Sequence, residues 1–172
     1  MTVFTIGHGT RSVDELLACL REARVETLVD VRRFPSSRRN PQFNQAALAE
    51  SLGEAGISYR HEIELGGRRS GEAGEDRFGC IRTPAFRSYA ARMSNPAWQE
   101  ALSGALAQPT PCFMCAETLW WRCHRRLIAD LLVARGHSPI HLVRPGDRQP
   151  HRLSEDAEIR GEKLFLCGHF VA

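Results

Sequence analysis

Residues 111–135 read PCFMCAETLWWRCHRRLIADLLVAR, and this stretch indicates the fold of the chain. Its first five residues, Pro111–Cys115, form an apolar run with the length of a buried strand. Four apolar residues follow at helical spacing: Leu127, Ile128, Leu131 and Leu132. We therefore expect a strand at 111–115 and a helix over 122–135 that stops at Gly136.

The start of the chain shows the same alternation of strand and helix. Val3–Ile6 and Thr27–Val31 are short β-rich runs. Between them, Ser12 and Glu15 have the spacing of a capping box ahead of a leucine-rich helical stripe. A strand, a helix and a second strand within about 30 residues predict a βαβ unit with parallel strands.

The rest of the chain extends this pattern into one fold class. The further expected elements are helices at about 44–55, 84–93 and 96–107 and strands at 57–63 and 139–143. We expect a single α/β domain over residues 1–172, with an open, mostly parallel sheet of about five strands flanked by helices in a Rossmann-like, three-layer arrangement. The core is expected at about 1–143, and the turn-rich segment 144–172 as a short C-terminal hairpin or an extended tail. Residues 68–82, rich in glycine and charge, are expected to be a mobile loop and a candidate lid.

Composition narrows the class of protein. The net charge of +3 is modest, yet of the 23 basic residues only Lys163 is a lysine. Arginine binds carboxylates and phosphates through its planar fork, although a global excess is also typical of a GC-rich genome. No stretch approaches the roughly 20 apolar residues that span a bilayer. The N-terminus MTVFTIGHGT lacks the features of a signal peptide, so we expect a cytoplasmic protein.

The expected cytoplasmic location bears on the state of the cysteines. There are six: Cys19, Cys80, Cys112, Cys115, Cys123 and Cys167. In a cytoplasmic chain we expect free thiols, ligands or catalytic groups rather than disulfides. Cys112 and Cys115 lie three apart in a strand, where successive side chains alternate between faces. We therefore expect Cys112 in the core and no redox pair between Cys112 and Cys115.

Polar and glycine residues follow four of the expected strands. Ligands of open parallel sheets bind beyond the carboxyl ends of the strands, so these residues are expected to meet at one edge. The candidate site residues are His8, Asp30, Arg32, Gly66, Gly67, Arg68, Cys115, Glu117, Cys123, His124 and Arg125.

Several motifs resemble one known family. They are TIGHGT (5–10), DVRRFPSS (30–37), RRNPQF (38–43), GISYRHEIELGGRR (56–69) and CAETLWWRCHRRLIADLL (115–132). Together they resemble the family catalogued as domain of unknown function 488, and the resemblance continues to PHRLSEDAEI (150–159). It implies a small α/β domain with signature positions at Cys115, Glu117, Cys123, His124 and Arg125, and it implies no particular reaction.

Two kinds of cysteine chemistry remain open at these positions. Cys123 is expected at a helix start beside His124 and Arg125, where a thiolate is stabilised, so it is a candidate nucleophile with His124 as acid or base. The alternative is a small buried residue. Cys115, Cys123 and His124, with His8 as a fourth ligand, also have the right types for zinc, but neighbouring arginines oppose a dication. We assign no metal and no cofactor.

Anion binding accounts best for the arginines. Arg32, Arg68 and Arg125 come from different strand ends and would offer forked donors to a phosphate or carboxylate at a helix N-terminus. Gly66 and Gly67, at the end of the third expected strand, are also expected among the ligand-binding residues. Glu117 and Asp30 are expected to orient the arginines or to act as a base. The alternative is that Asp30–Arg32 and Glu117–Arg125 are structural ion pairs.

These observations favour an enzyme, a cysteine- or His/Glu-dependent hydrolase or transferase, with a phosphate-bearing or otherwise anionic small ligand, a nucleotide being one candidate. A non-catalytic nucleic-acid or nucleotide-binding module is an alternative, because the loop 32–43 mixes arginines with Phe43. In that hypothesis Trp120 and Trp121 stack on a base, whereas a lid or a dimer contact would use them differently. A Cys/His metal-binding protein is the third alternative.

Overall fold

Strands and helices alternate through most of the computed structural model, which describes all 172 residues. The strands are β1 (Thr2–Gly7), β2 (Thr27–Asp30), β3 (Ser58–His61), β4 (Pro111–Cys115), β5 (Ser138–Arg144), β6 (Asp147–Pro150), β7 (Ala157–Arg160), β8 (Lys163–Leu166) and β9 (His169–Phe170). The helices are α1 (Val13–Glu22), α2 (Gln45–Glu54), α3 (Pro84–Arg92), α4 (Pro96–Leu106) and α5 (Arg125–Ala134). No helix combines the length and the apolar character needed to cross a membrane.

Six strands form the main sheet in the order β3-β2-β4-β1-β5-β6. The first five are parallel, and β6 is antiparallel to β5 at the edge. The predicted α/β class with a mostly parallel sheet is confirmed. The sheet has one strand more than expected, because residues 147–150 turn back onto β5 instead of starting the tail.

The parallel strands are buried on both faces, as their unbroken apolar sequences indicate. In β4, Cys112 and Met114 belong to the core on the side of α1 and α2. Phe113 and Cys115 belong to the core on the opposite side, with α3, α4 and α5. The expected separation of Cys112 from Cys115 by strand alternation is therefore confirmed.

Local signals set several helix ends where the sequence predicts them. The Ser12 hydroxyl accepts a hydrogen bond from the Glu15 N–H at 3.2 Å and caps α1. Asn95 caps α4 through the Ala97 N–H at 2.9 Å. Gly136 follows α5 with φ of +75°, a conformation that favours glycine and ends a helix.

The start of α5 differs from the prediction. The helix begins at Arg125, whereas Trp120–Arg122 forms a single 3-10 turn and Cys123 is extended, with φ −125° and ψ 151°. The Trp120 ring stacks on His141 of β5, with ring centroids 4.3 Å apart, and this contact fixes the turn before the helix can begin. Cys123 therefore lies just outside the helix and not in its first turn.

The C-terminal segment is more ordered than a tail. Strands β7, β8 and β9 form an antiparallel sheet that packs on α5, with Leu164 and Leu166 in the core. Cys167, at the turn after β8, forms a disulfide with Cys80. The prediction of free thiols is wrong for these two cysteines, because tertiary packing joins positions 87 residues apart. The other four cysteines are free.

Residues 68–82 are only in part the loop that the sequence predicts. Glu75–Phe78 is a 3-10 turn, and Phe78 and Ile81 are buried in the core beside the disulfide-bonded Cys80. The prediction of a mobile loop is therefore wrong for the second half of this segment, which apolar burial anchors.

The strand order creates a crevice at one edge of the sheet. Neighbouring strands β1 and β4 both end there, but β1 leads to α1 on one face and β4 leads to α5 on the other. Connections that leave adjacent parallel strands toward opposite faces open a ligand crevice between them. The loops that follow β1 and β4 are therefore the natural walls of a site.

Candidate functional site

A cleft of about 660 Å³ occupies this crevice at the carboxyl ends of β1, β2 and β4. Eight of the eleven predicted site residues line it: His8, Arg32, Gly67, Arg68, Cys115, Glu117, Cys123 and His124. The other three, Asp30, Gly66 and Arg125, lie behind its wall. Strand-end convergence thus locates the cleft, while individual roles depend on side-chain packing.

Cys123 and His124 form a pair in the wall of this cleft. The Cys123 Sγ lies 3.5 Å from the His124 Nδ1. The other ring nitrogen, Nε2, lies 3.2 Å from the carbonyl oxygen of Val31. Because a carbonyl oxygen can only accept, Nε2 carries a hydrogen and the exchangeable proton of the pair lies between Nδ1 and Sγ. A base held by a third group in this way is the arrangement that activates a nucleophile.

A second thiol lies against the first. The Cys115 Sγ is 2.6 Å from the Cys123 Sγ. Burial acts to raise the pKa of Cys123, but the hydrogen bond from Cys115 and the charges of His124 and Arg125 bring that pKa well below its ordinary value. Burial and the hydrogen bond to Cys123 raise the pKa of Cys115 well above its ordinary value. These opposite shifts favour a Cys123 thiolate that accepts the S–H of Cys115.

Arg125 supports the two sulfurs from behind. Its side chain is buried, and its Nε donates to the Cys115 Sγ at 3.0 Å. Its Nη1 donates to the Thr5 hydroxyl at 3.1 Å, and its Nη2 donates to the carbonyl oxygen of Glu117. Because the donors of the guanidinium already have acceptors in the protein, the predicted role of Arg125 in binding an anion is wrong. The residue supplies positive charge beneath the thiols.

The Glu117–Arg125 ion pair considered from the sequence does not form. The Glu117 carboxylate accepts from the Leu119 N–H at 3.1 Å, whereas Arg125 contacts only the Glu117 backbone carbonyl. The carboxylate is exposed at the rim of the cleft. It does not orient Arg125, because the guanidinium donates to main-chain carbonyl oxygens instead.

A hydrogen-bonded chain continues from Arg125 through the core. The Thr5 hydroxyl contacts the His141 Nδ1 at 2.7 Å, and the His141 Nε2 contacts the His151 Nδ1 at 3.0 Å. The His151 Nε2 then reaches the Asp130 carboxylate at 2.8 Å. Burial, followed by the charges of His151 and Arg125, lowers the pKa of His141 to about 3.

The acceptor at the Asp130 end of this chain fixes which atom donates the last hydrogen bond. The Asp130 oxygen can only accept, so the His151 Nε2 carries a hydrogen and donates to it. A neutral His141 is consistent with its lowered pKa. Sequence reasoning missed this chain, because its members come from β1, β5, α5 and the segment after β6 with no shared motif.

A second ionic unit holds the opposite wall. Arg32 makes a buried two-pronged pair with Asp30, at 2.8 Å from Nε and 2.6 Å from Nη2. The Tyr59 hydroxyl donates to the same carboxylate at 2.8 Å. Both carboxylate oxygens of Asp30 thus accept hydrogen bonds, and Asp30 orients Arg32, which is one of the two roles considered for it from the sequence. It does not line the cleft, so it is not a general base there.

His8 lies between this unit and the cleft as a neutral imidazole. Its Nδ1 contacts the Gly9 carbonyl oxygen at 2.9 Å and must be the donor. Its Nε2 therefore has a free lone pair toward the Arg32 Nη1, 3.3 Å away. Burial, with the charge of Arg32, lowers the pKa of His8, and the ring stacks on Phe43.

The charge of the cleft is strongly positive. Five arginines and one acidic residue line it: Arg32, Arg33, Arg39, Arg68, Arg122 and Glu117. The guanidinium groups of Arg39, Arg68 and Arg122 are exposed and make no hydrogen bond or ion pair with the protein. Arg122 is not among the predicted site residues, because the sequence alone assigned it to the helix. These free forks are the ones able to bind an anionic ligand.

Glycines make room for the site. A Cβ on Gly67 would lie 2.5 Å from the His124 Nδ1, and one on Gly66 would lie 2.9 Å from the backbone of Arg33. Gly67 therefore lets the imidazole reach Cys123, and Gly66 lets two loops approach each other. Both glycines thus allow close packing around the site, and Gly67 also lines the cleft.

Two further hypotheses from the sequence concern the paired tryptophans and a bound metal ion. One face of the Trp120 ring is stacked on His141, while Trp121 is 47% exposed. No three His, Cys, Asp or Glu side chains are arranged to hold a metal ion. The geometry thus gives no support to the zinc alternative.

Comparison with known proteins agrees with the motifs in the sequence. The model of the family described as Domain of unknown function DUF488 matches residues 12–132, more than two thirds of the chain. The chain therefore belongs to this family. The match includes Cys115, Glu117, Cys123 and His124 but excludes His8, so the shared region is shorter than the motifs suggest. No curated protein and no solved structure matches the chain.

Proposed function

We propose that this protein is a cysteine-dependent hydrolase or transferase for a small phosphate-bearing or otherwise anionic substrate, with a nucleotide as one candidate. Cys123 is the nucleophile and His124 the acid and base. The observation that carries the proposal is the contact between the Cys123 Sγ and the His124 Nδ1, with the opposite nitrogen of the ring bound to the Val31 carbonyl oxygen.

The pair provides the two proton movements of a covalent mechanism. The Cys123 thiolate attacks the electrophilic atom of the substrate and forms a bond to it, while the bond to the leaving group breaks. The His124 Nδ1 gives its proton to that leaving group. Water or an acceptor hydroxyl then attacks the thio-linked intermediate, His124 takes up its proton, and the Cys123 thiolate leaves.

The arginines account for the substrate class. Arg39, Arg68 and Arg122 have free forks around the cleft, and a forked donor pairs well with phosphate or carboxylate oxygens. Arg32, fixed by Asp30, adds charge in the wall nearest His8. An anion bound among these groups would share the cleft with the two sulfurs, which also line it.

The proposal is tested by comparing an anionic and a neutral alkylating agent. Rates of modification of Cys123 by iodoacetate and by iodoacetamide are measured by peptide mass spectrometry, with glutathione as the reference thiol. A positive cleft should raise the iodoacetate-to-iodoacetamide ratio above that of glutathione by roughly tenfold at low salt. Inorganic phosphate should slow both reactions at Cys123 by occupying the cleft.

Matched arginine variants identify the source of the preference. The double variant Arg68→Ala/Arg122→Ala should lose most of it, whereas Arg144→Ala should keep it, since the Arg144 side chain is 75% exposed and outside the cleft. A ratio equal to that of glutathione, with no protection by phosphate, would overturn the anionic substrate class. A Cys123 that reacts no faster than glutathione at neutral pH would overturn the nucleophile.

A further inference from the structure

The two cleft thiols are in contact with each other, a feature that nucleophilic catalysis does not need. We propose that Cys115 and Cys123 form a redox-active dithiol that a hydroperoxide converts into a disulfide. Cys123 is the thiol that the peroxide attacks first, and Cys115 is the resolving thiol. A simple cysteine nucleophile requires no second cysteine, and the proposal gives Cys115 a role of its own beside Cys123.

The distance between the sulfurs carries the proposal. They lie 2.6 Å apart, while a disulfide bond is about 2.05 Å long, so the bond can form with a small movement of either side chain. The two other free thiols provide a contrast. Cys19 and Cys112 are buried in the core on the opposite face of the sheet, outside the cleft.

Surrounding groups suit the two thiols to different steps. Cys123 faces the His124 Nδ1 at 3.5 Å and accepts from the Arg125 backbone N–H at 3.5 Å, both of which stabilise a thiolate. Cys115 receives the Arg125 Nε at 3.0 Å, so a thiolate that forms on it during the second step is stabilised as well. Both residues line the cleft, through which a small peroxide can reach them.

The reaction balances in two steps. The Cys123 thiolate attacks one oxygen of the hydroperoxide, the O–O bond breaks, and the products are a Cys123 sulfenic acid and, after uptake of a proton, an alcohol or water. The Cys115 thiolate then attacks the sulfenic sulfur, the S–O bond breaks, and the hydroxide leaves as water with the proton that Cys115 has lost. The two thiols supply two electrons, and the peroxide is reduced.

Oxidation by itself does not depend on the proposed function, but its consequence does. A disulfide between Cys115 and Cys123 removes the thiolate that would attack a substrate. It also protects Cys123 from further oxidation to sulfinic acid, which is not reversed by thiols. The site would thus be switched off by peroxide and restored by a dithiol reductant.

The experiment reads the bond directly in the whole protein. The protein is treated with a small excess of hydrogen peroxide, its free thiols are blocked with N-ethylmaleimide, and non-reduced peptides are mapped by mass spectrometry. We expect a linked pair of peptides containing Cys115 and Cys123, with Cys19 and Cys112 labelled and Cys80–Cys167 unchanged. Dithiothreitol should then restore labelling at both cleft thiols.

Variants separate the resolving role from a structural one. In Cys115→Ser, Cys123 should proceed to sulfinic acid, or be trapped as a sulfenic acid by dimedone, whereas Cys112→Ser should still form the cleft disulfide. The wild-type map needs no variant and therefore holds even if Cys115→Ser folds poorly. Overoxidised Cys123 beside a labelled Cys115 in the wild-type protein would overturn the proposal.

The outcomes distinguish this inference from the proposed function. A cleft disulfide that forms in a protein whose Cys123 shows no enhanced alkylation supports the dithiol and removes the nucleophile. Enhanced alkylation of Cys123 without any cleft disulfide supports the nucleophile and contradicts the redox-active dithiol.

Discussion

The His124 Nε2 lies 3.2 Å from the carbonyl oxygen of Val31, and this contact decides which face of the imidazole meets Cys123. Val31 directly follows β2, and His124 directly precedes α5, so two separate elements fix the ring. The Nδ1 is left 3.5 Å from the Cys123 Sγ. The proposed chemistry depends on this orientation more than on any other contact in the cleft.

Replacing His124 by alanine should weaken the nucleophile without removing it. The positive charge of the ring helps to bring the pKa of Cys123 below its ordinary value, so its loss moves that pKa upward. Alkylation by iodoacetamide at about pH 6.5 should slow by roughly tenfold, because only the thiolate reacts. The rate at high pH, where all of the thiol is ionised, should change little; equal loss at both pH values would show a steric effect instead.

Substituting Gly67 by alanine should have a similar effect through geometry. The new Cβ would lie 2.5 Å from the His124 Nδ1 and push the ring away from Cys123. Alkylation near neutral pH should fall as it does in His124→Ala. The control is Gly53→Ala in α2, where a Cβ meets no atom within 4 Å and helix propensity improves by up to about 1 kcal/mol. Unchanged reactivity in Gly67→Ala would contradict the tight packing of the ring.

Arg125 should be far more important for stability than an exposed arginine. Its buried guanidinium donates to Cys115, to Thr5 and to main-chain carbonyl oxygens, and lysine cannot reproduce this fork. Arg125→Lys should lower the free energy of unfolding by about 1–3 kcal/mol in urea titrations, since buried acceptors lose their donors. The exposed Arg144→Lys should change it by no more than about 0.5 kcal/mol. Similar values for the two variants would contradict the buried role.

The buried His141 should make the fold sensitive to mild acid. Its pKa is lowered to about 3 in the folded protein, so the unfolded chain takes up the proton first, near its usual pKa of about 6.5. The stabilisation is fully present above that value and is lost as the pH falls. Between about pH 7.5 and pH 5 the contribution of His141 should decrease by about 2 kcal/mol.

Chemical unfolding of His141→Gln at both pH values measures this slope. The variant should be less stable at neutral pH, because Thr5 and His151 lose a partner, but its stability should depend less on pH. His169→Gln serves as the control, because His169 is exposed and should leave the slope unchanged. An identical slope in His141→Gln and the wild-type protein would show that other groups are responsible.

Local patterns in the sequence predict those parts of the site that depend on neighbouring residues. The period of two in β4 separates Cys112 from Cys115, and strand ends place His8, Cys115 and Glu117 at one edge. These features follow from backbone geometry, which sequence spacing specifies. The position of the cleft therefore follows from sequence spacing alone.

Features that depend on distant contacts could not be predicted in this way. An arginine at a helix start suits anion binding, and only the position of Thr5 on β1, 120 residues away, shows that Arg125 turns inward. The contact between Cys115 and Cys123 requires the 3-10 turn that stacks Trp120 on His141. In a helix that started at Arg122, as the apolar stripe predicts, Cys123 would have a helical backbone, and its side chain would point in a different direction.

The pH dependence of Cys123 alkylation tests the central claim most directly. The rate with iodoacetamide is followed by peptide mass spectrometry from acid to alkaline pH in the reduced wild-type protein, and its midpoint gives the pKa of the thiol. We predict a midpoint well below the ordinary cysteine value of about 8.5, with a shift toward that value in His124→Ala. A midpoint at or above about 8.5 in the wild-type protein would contradict the proposal that Cys123 is an activated nucleophile.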